Sequence, residues 1–106
     1  MRWLEEIRVR TQPRKEKEVL ELLREAAASF TRDRQLQSAR IYSHHSAPAS
    51  FSLILFWDTA SVLPQGSDAA TLILEGLEAF GLLDHTVLVE EGGAHQKSRG
   101  KTEAGA

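Results

Sequence analysis

The sequence contains no cysteine. Disulfides, thiolate nucleophiles and Cys-ligated metals are therefore excluded from its chemistry. Long apolar runs are missing as well. Nothing approaches the roughly 18 residues of a membrane span. The first residues, Met1-Arg2-Trp3-Leu4-Glu5-Glu6, enter charged sequence without the apolar core of a secretion signal. A cytoplasmic protein is the expectation. Nor does one sign of charge dominate: thirteen Lys and Arg against fifteen Asp and Glu leave a net charge of -2. Nucleic-acid-binding domains are usually basic, so neither nucleic acid nor membrane is expected as a partner. No Ser-His-Asp arrangement, phosphate-binding Walker loop or dinucleotide-binding glycine pattern is present.

What remains is 106 residues, 42% apolar and 26% charged, the balance of one globular domain. A core of this size is modest, and assembly adds to its stability.

The order of the hydrophobic patterns is the most specific feature. From Trp3 to Thr11 the chain alternates: Trp3, Ile7 and Val9 point one way, and Glu6, Arg8 and Arg10 the other, as in a strand. Pro13 suits the start of a helix, where its missing N–H is not needed. That helix runs to about Phe30, with Val19, Leu22, Leu23, Ala26, Ala27 and Phe30 in one stripe. Leu36 to His45 reads as a second strand, with Ser38, Arg40, Tyr42 and His44 on one face. Ser46 to Ser50 is a turn by composition. In the third strand, Phe51 to Trp57, both faces are apolar: Phe51, Leu53, Leu55 and Trp57 on one, Ile54 and Phe56 on the other. Ser67 is a fitting N-cap for a second helix over 68–80, with Asp68 at the positive end of its dipole. Gly81 is placed for a left-handed C′ position. A last strand runs from Leu83 to Glu91, with His85, Val87 and Val89 on one face. From Gly92 onward there is no Leu, Ile, Val or aromatic residue. Such a segment cannot bury enough surface to offset its ordering, so a domain over 1–91 and a disordered polar tail over 92–106 are expected.

Strand, helix, strand, strand, helix, strand is the split βαβ repeat. The expected fold is α+β, a ferredoxin-like βαββαβ with a four-stranded antiparallel sheet in the order 4-1-3-2 and both helices on one face. The third strand is then central. Its second apolar face would meet water unless a partner covers it, and two sheets packed across a two-fold axis would do so.

Over about residues 3–91 the chain resembles the dimeric α/β-barrel superfamily. That superfamily includes antibiotic-biosynthesis-type monooxygenases, haem-degrading monooxygenases, muconolactone isomerases and stress-responsive barrel proteins. The resemblance rests on element order, on length and on a third strand ending Leu55-Phe56-Trp57-Asp58. Gln65-Gly66-Ser67, Phe80-Gly81-Leu82 and Asp84-His85 are similar to a small set of bacterial proteins. The resemblance implies a homodimer with a ligand cavity, either between helices and sheet or inside the barrel. The haem-degrading members use an asparagine, a tryptophan from the third strand and a histidine from the second helix. Trp57 matches the tryptophan. The chain has no asparagine, and 68–80 holds no histidine, so haem degradation of that kind is not expected.

Alternation brings Arg8, Arg10, Arg40, Tyr42 and His44 to one side of the sheet. Converging arginines suit a carboxylate or other anion; ion pairing with Glu6 and other acids across a dimer interface is the structural alternative. His44 and His45 are adjacent on a strand and point to opposite faces, so they cannot share a metal without a bulge. His44 beside Tyr42 is a candidate for proton transfer, or an ordinary surface histidine. His85 points toward the helices, as a core histidine with a satisfied hydrogen bond or as a pocket-lining base. Trp57 is core, or lines a pocket. Ser67 and Asp68 cap a helix, or hold an anion at its N-terminus. The catalytic candidates are thus His44, His85 and Tyr42, and the ligand-binding candidates Arg8, Arg40 and Trp57, with no metal and no cofactor expected. Two functions follow: a small dimeric barrel that binds a small molecule or serves a regulatory or stress role, or a cofactor-independent monooxygenase or isomerase acting on a small cyclic or aromatic substrate.

Overall fold

The computed structural model describes residues 1–30 and 32–94. Its elements are β1 (Arg2–Thr11), α1 (Glu16–Ser29), β2 (Leu36–Ser43), β3 (Ser50–Asp58), α2 (Asp68–Leu77) and β4 (Gly81–Val89). Pro13 opens a 3-10 turn, Pro13–Lys15, that leads into α1. A second 3-10 turn, Glu78–Phe80, tightens the end of α2. Of the expected tail, residues 92–94 are exposed and without regular structure, and 95–106 lie outside the described residues. No helix among the described residues is long and apolar enough to cross a membrane.

The sheet order is β2-β3-β1-β4 with every pair antiparallel. This is the expected 4-1-3-2 order read from the opposite edge, and the fold is α+β and ferredoxin-like. The alternation of β1 and β3 decides what is covered. Trp3, Glu5, Ile7, Val9, Phe51, Leu53, Leu55 and Trp57 are all buried on the helix side. Val19 and Leu23 of α1 and Ala70, Ile73 and Leu77 of α2 close the core over them. Trp3 and Trp57 are cross-strand partners, and their rings stack at 5.8 Å between centroids, inside the range where aromatic pairs add to plain burial.

The other face carries Leu4, Ile54, Phe56 and Leu88 in adjoining positions of the ladder, with Arg40 beside Ile54 and Tyr42 beside Ser52. No element among the described residues covers it. Leu88 is 49% exposed and Tyr42 45%.

Two glycines differ in what they do. Gly81 is not the left-handed cap expected for it. It is extended, with φ 160° and ψ -157°, and begins β4. It packs so closely on the Arg10 carbonyl that a Cβ would run into that oxygen, so the close approach requires the glycine. Gly66, just before α2, does take a left-handed φ of 90°, and a Cβ there would strike the His85 ring and the Glu5 carboxylate.

Candidate functional site

The polar chemistry divides between the two faces of the sheet. On the helix side the centre is Glu5, with 0% of its surface exposed. Its Oε1 accepts from Trp57 Nε1–H at 2.8 Å and from the Ser67 hydroxyl at 2.6 Å. Its Oε2 accepts from the Ser67 backbone N–H at 2.9 Å and pairs with His85 Nε2 at 2.8 Å. Burying a carboxylate is costly unless its oxygens find partners. Three of these four partners are hydrogen donors, and a histidine completes the set, so the acceptor capacity of a carboxylate is used in full.

Local sequence explains how the groups converge. Glu5 shares the inward parity of Trp3 and Ile7. Trp57 is two residues further along β3 than Leu55, the cross-strand partner of Glu5. His85 lies opposite Ile7 on β4. The left-handed Gly66 turns the chain so that Ser67 arrives with its N–H and hydroxyl aimed down at the sheet. Ser67 is also the N-cap of α2, where its Oγ accepts from the Ala70 N–H at 3.1 Å, an arrangement worth about 1 kcal/mol. The N-terminus of α2 is occupied from within, by the Glu5 side chain on the Ser67 N–H and hydroxyl.

The open face has a second polar chain. His44 Nε2 lies 2.8 Å from Ser52 Oγ, and Ser52 donates its hydroxyl hydrogen to Glu6 Oε2 at 2.7 Å. Ser52 is 2% exposed. Its single hydrogen is committed to Glu6, so the hydrogen between Ser52 and His44 belongs to the imidazole, which places the His44 proton on Nε2. His45 is exposed in the turn that follows.

Apart from this chain, at the end of the sheet where β1 begins and β4 finishes, lies a groove of about 670 Å³. Leu4, Phe56 and Leu88 line it together with Arg2, Arg40 and Trp57. Among the described residues none of the open-face arginines forms an ion pair; the pairs are Met1 with Asp58, Lys15 with Glu18, and His85 with Glu5. Arg2 and Arg40 thus have no ion-pair partner among the described residues, and Glu90 lines the groove as well.

Of the residues singled out by sequence, Arg8, Arg40, Tyr42 and His44 share the open face, as alternation requires. Arg40 and Trp57 line the groove and Arg8 does not. His85 is turned to the helix side and cannot act together with His44 or Tyr42. Glu5 was not among the candidates. The signal was present, since a carboxylate interrupts the inward column Trp3-Glu5-Ile7-Val9. Glu6 and Ser52 were missed for a different reason: each looks like ordinary strand-face polarity until its partner is known.

No protein-family model matches the sequence, and no curated protein does. Solved structures do match. A protein from Mycobacterium tuberculosis superimposes with a TM-score of 0.71 at 14% identity, over 90% of this chain and 100% of that one. A candidate antibiotic biosynthesis monooxygenase from Deinococcus radiodurans gives a TM-score of 0.69 at 15% identity, over 88% of this chain and 95% of that one. A further structure, described as an antibiotic biosynthesis monooxygenase, gives 0.64 at 17%, over 87% and 99%. The chain shares the fold of the antibiotic biosynthesis monooxygenase-like proteins. At these identities the likeness is one of fold, and chemistry has to be argued from the residues in place.

Proposed function

We propose that the protein is a homodimeric barrel that binds a small organic anion on the open face of its sheet. One observation carries this reading: the groove of about 670 Å³ joins an apolar floor, Leu4, Phe56 and Leu88, to two arginines without ion-pair partners among the described residues, Arg2 and Arg40. An apolar cavity with a few convergent polar groups is the usual form of a small-molecule site. Guanidinium groups select a carboxylate or similar planar anion. A second copy packed face to face across a two-fold axis would cover Ile54, Phe56 and Leu88 and enclose the groove. The site would lie in the cytoplasm and serve transport, sensing or a stress response.

Native mass spectrometry and tryptophan fluorescence test this reading, because Trp57 lines the groove. The expected results are a dimer and saturable quenching by phenylacetate, with affinity about tenfold weaker in Arg40→Ala. A monomer, or quenching that does not saturate, refutes it.

A second reading is a cofactor-independent monooxygenase or isomerase acting on a small cyclic or aromatic substrate. Two observations favour it. Structural neighbours carry monooxygenase descriptions. His85 is held through Nε2 by a buried carboxylate, which is how a general base is kept in one tautomer and orientation.

A further inference from the structure

The charges of the groove are not all of one sign, and they stand toward its two ends. Leu88, Leu4, Phe56 and Ser38 form one row across the sheet from β4 to β2, and all four line the groove. Toward the β4 end stand Arg2 and Glu90, which line it too. The Glu90 N–H donates to the Arg2 carbonyl at 3.0 Å, which carries the β1–β4 ladder one step past Trp3 and Val89. Alternation from Leu4 and Leu88 puts both side chains on the open face, as cross-strand neighbours with Cβ atoms about 5 Å apart. Neither forms an ion pair among the described residues.

Toward the β2 end stand Arg40, Gln37 and Ser38. In a regular strand residues 37 and 38 would point to opposite faces. Here β2 shifts register between Leu36 and Ser38, and both residues line the groove. Bulges re-aim side chains in this way. This end therefore offers a guanidinium, an amide and a hydroxyl, all able to donate to one carboxylate. The β3 partners of Arg2 and Arg40 are Asp58 and Ile54, about 13 Å apart along the strand, and β1 and β2 are two strand spacings apart, about 10 Å. The two arginines thus suit different ends of one ligand.

The geometry points to an α-amino dicarboxylate with an apolar body as the ligand. This rests on the open-face binding reading and names its anion. The α-carboxylate lies on Arg2 and the α-ammonium on Glu90, two opposite charges on neighbouring positions of the wall. The apolar body crosses Leu4 and Phe56. The second carboxylate takes Arg40, Gln37 and Ser38. Two cations and one anion on the wall meet two anions and one cation on the ligand. An acid of the same shape without the ammonium leaves Glu90 unmatched beside a carboxylate, so Glu90 sets specificity by repulsion as well as attraction.

The probes are para-carboxy-L-phenylalanine and its des-amino analogue, which differ only in the ammonium. Binding is read by tryptophan quenching. The amino compound is expected to bind about tenfold tighter, the scale of one charge-assisted contact. Glu90→Gln should abolish that preference, weakening the amino compound about tenfold and the des-amino compound not at all. Glu90 is exposed beyond the end of β4, so the variant should melt with the wild type. Arg40→Ala should weaken both compounds alike and leave the preference in place. Equal binding of the two compounds, a preference that survives Glu90→Gln, or one that Arg40→Ala removes overturns the assignment. Saturable quenching by the des-amino compound would then keep the anion-binding reading standing. If neither probe nor phenylacetate quenches saturably, that reading falls and the assignment with it.

Discussion

Replacing Glu5 separates two accounts of a buried polar cluster. In Glu5→Gln the shape is kept and one acceptor oxygen becomes an NH2. If the remaining oxygen stays at the Oε1 position it still accepts from Trp57 and the Ser67 hydroxyl, and the NH2 then opposes the Ser67 backbone N–H. If the amide is flipped, the NH2 opposes Trp57 Nε1–H instead. The Ser67 hydroxyl can rotate and His85 can change tautomer, but these two N–H groups are fixed donors. Either orientation therefore leaves one fixed donor unmatched, a cost of about 1–3 kcal/mol. Glu5→Leu leaves both unmatched and should cost roughly twice as much, about 2–6 kcal/mol. Small domains have only about 5–15 kcal/mol in all, so the leucine variant approaches unfolding. Urea titration followed by tryptophan fluorescence gives both values, provided the slope with denaturant is unchanged. Buried ionic clusters have in other cases been replaced by apolar groups with a gain in stability. A leucine variant as stable as wild type, or a glutamine variant costing more than the leucine one, would refute the donor count.

Three further outcomes follow from the same geometry. Gly66→Ala should lower stability by more than the ~1–2 kcal/mol cost of a left-handed alanine, because its methyl also displaces His85 and Glu5; a thermal melt measures it. Gly76→Ala, in the last turn of α2 with nothing near its Cβ position, should raise stability by up to about 0.5–1 kcal/mol, seen as an upward shift of the same melt. Phe56→Asp and Ile54→Asp should each give monomer or aggregate by size-exclusion chromatography with light scattering, and a soluble, unaltered dimer would move the interface elsewhere.

The fold was legible because it depends on periodicity. Val19 to Phe30 has one stripe and β1 has one alternation, and each admits one packing. His85 was correctly turned toward the helices by the same parity, and Arg8, Arg40, Tyr42 and His44 to the other side. The groove and the two hydrogen-bonded clusters were not legible, since they depend on which strands are neighbours and in what register. Nothing in the local sequence pairs Glu6 with Ser52, 46 residues away. Gly81 shows the same limit at one residue. Its position after a helix suggested a cap, whereas the constraint is the carbonyl of Arg10, supplied by a neighbouring strand.

Glu5 also bears on how the chain reaches its fold. Its partners are 52, 62 and 80 residues distant in sequence, so none can be found by local search. A slip of β1 by one residue would present Leu4 or Glu6 to the helix side and turn Glu5 outward. Leu4 would leave every donor empty-handed, and Glu6 would meet them displaced along the strand. The cluster therefore proofreads strand pairing: it closes only when β3, the start of α2 and β4 have all arrived in one register. Such closure comes last, after the strands have paired. A substitution at Glu5 should accordingly show itself as faster unfolding and leave the folding rate little altered.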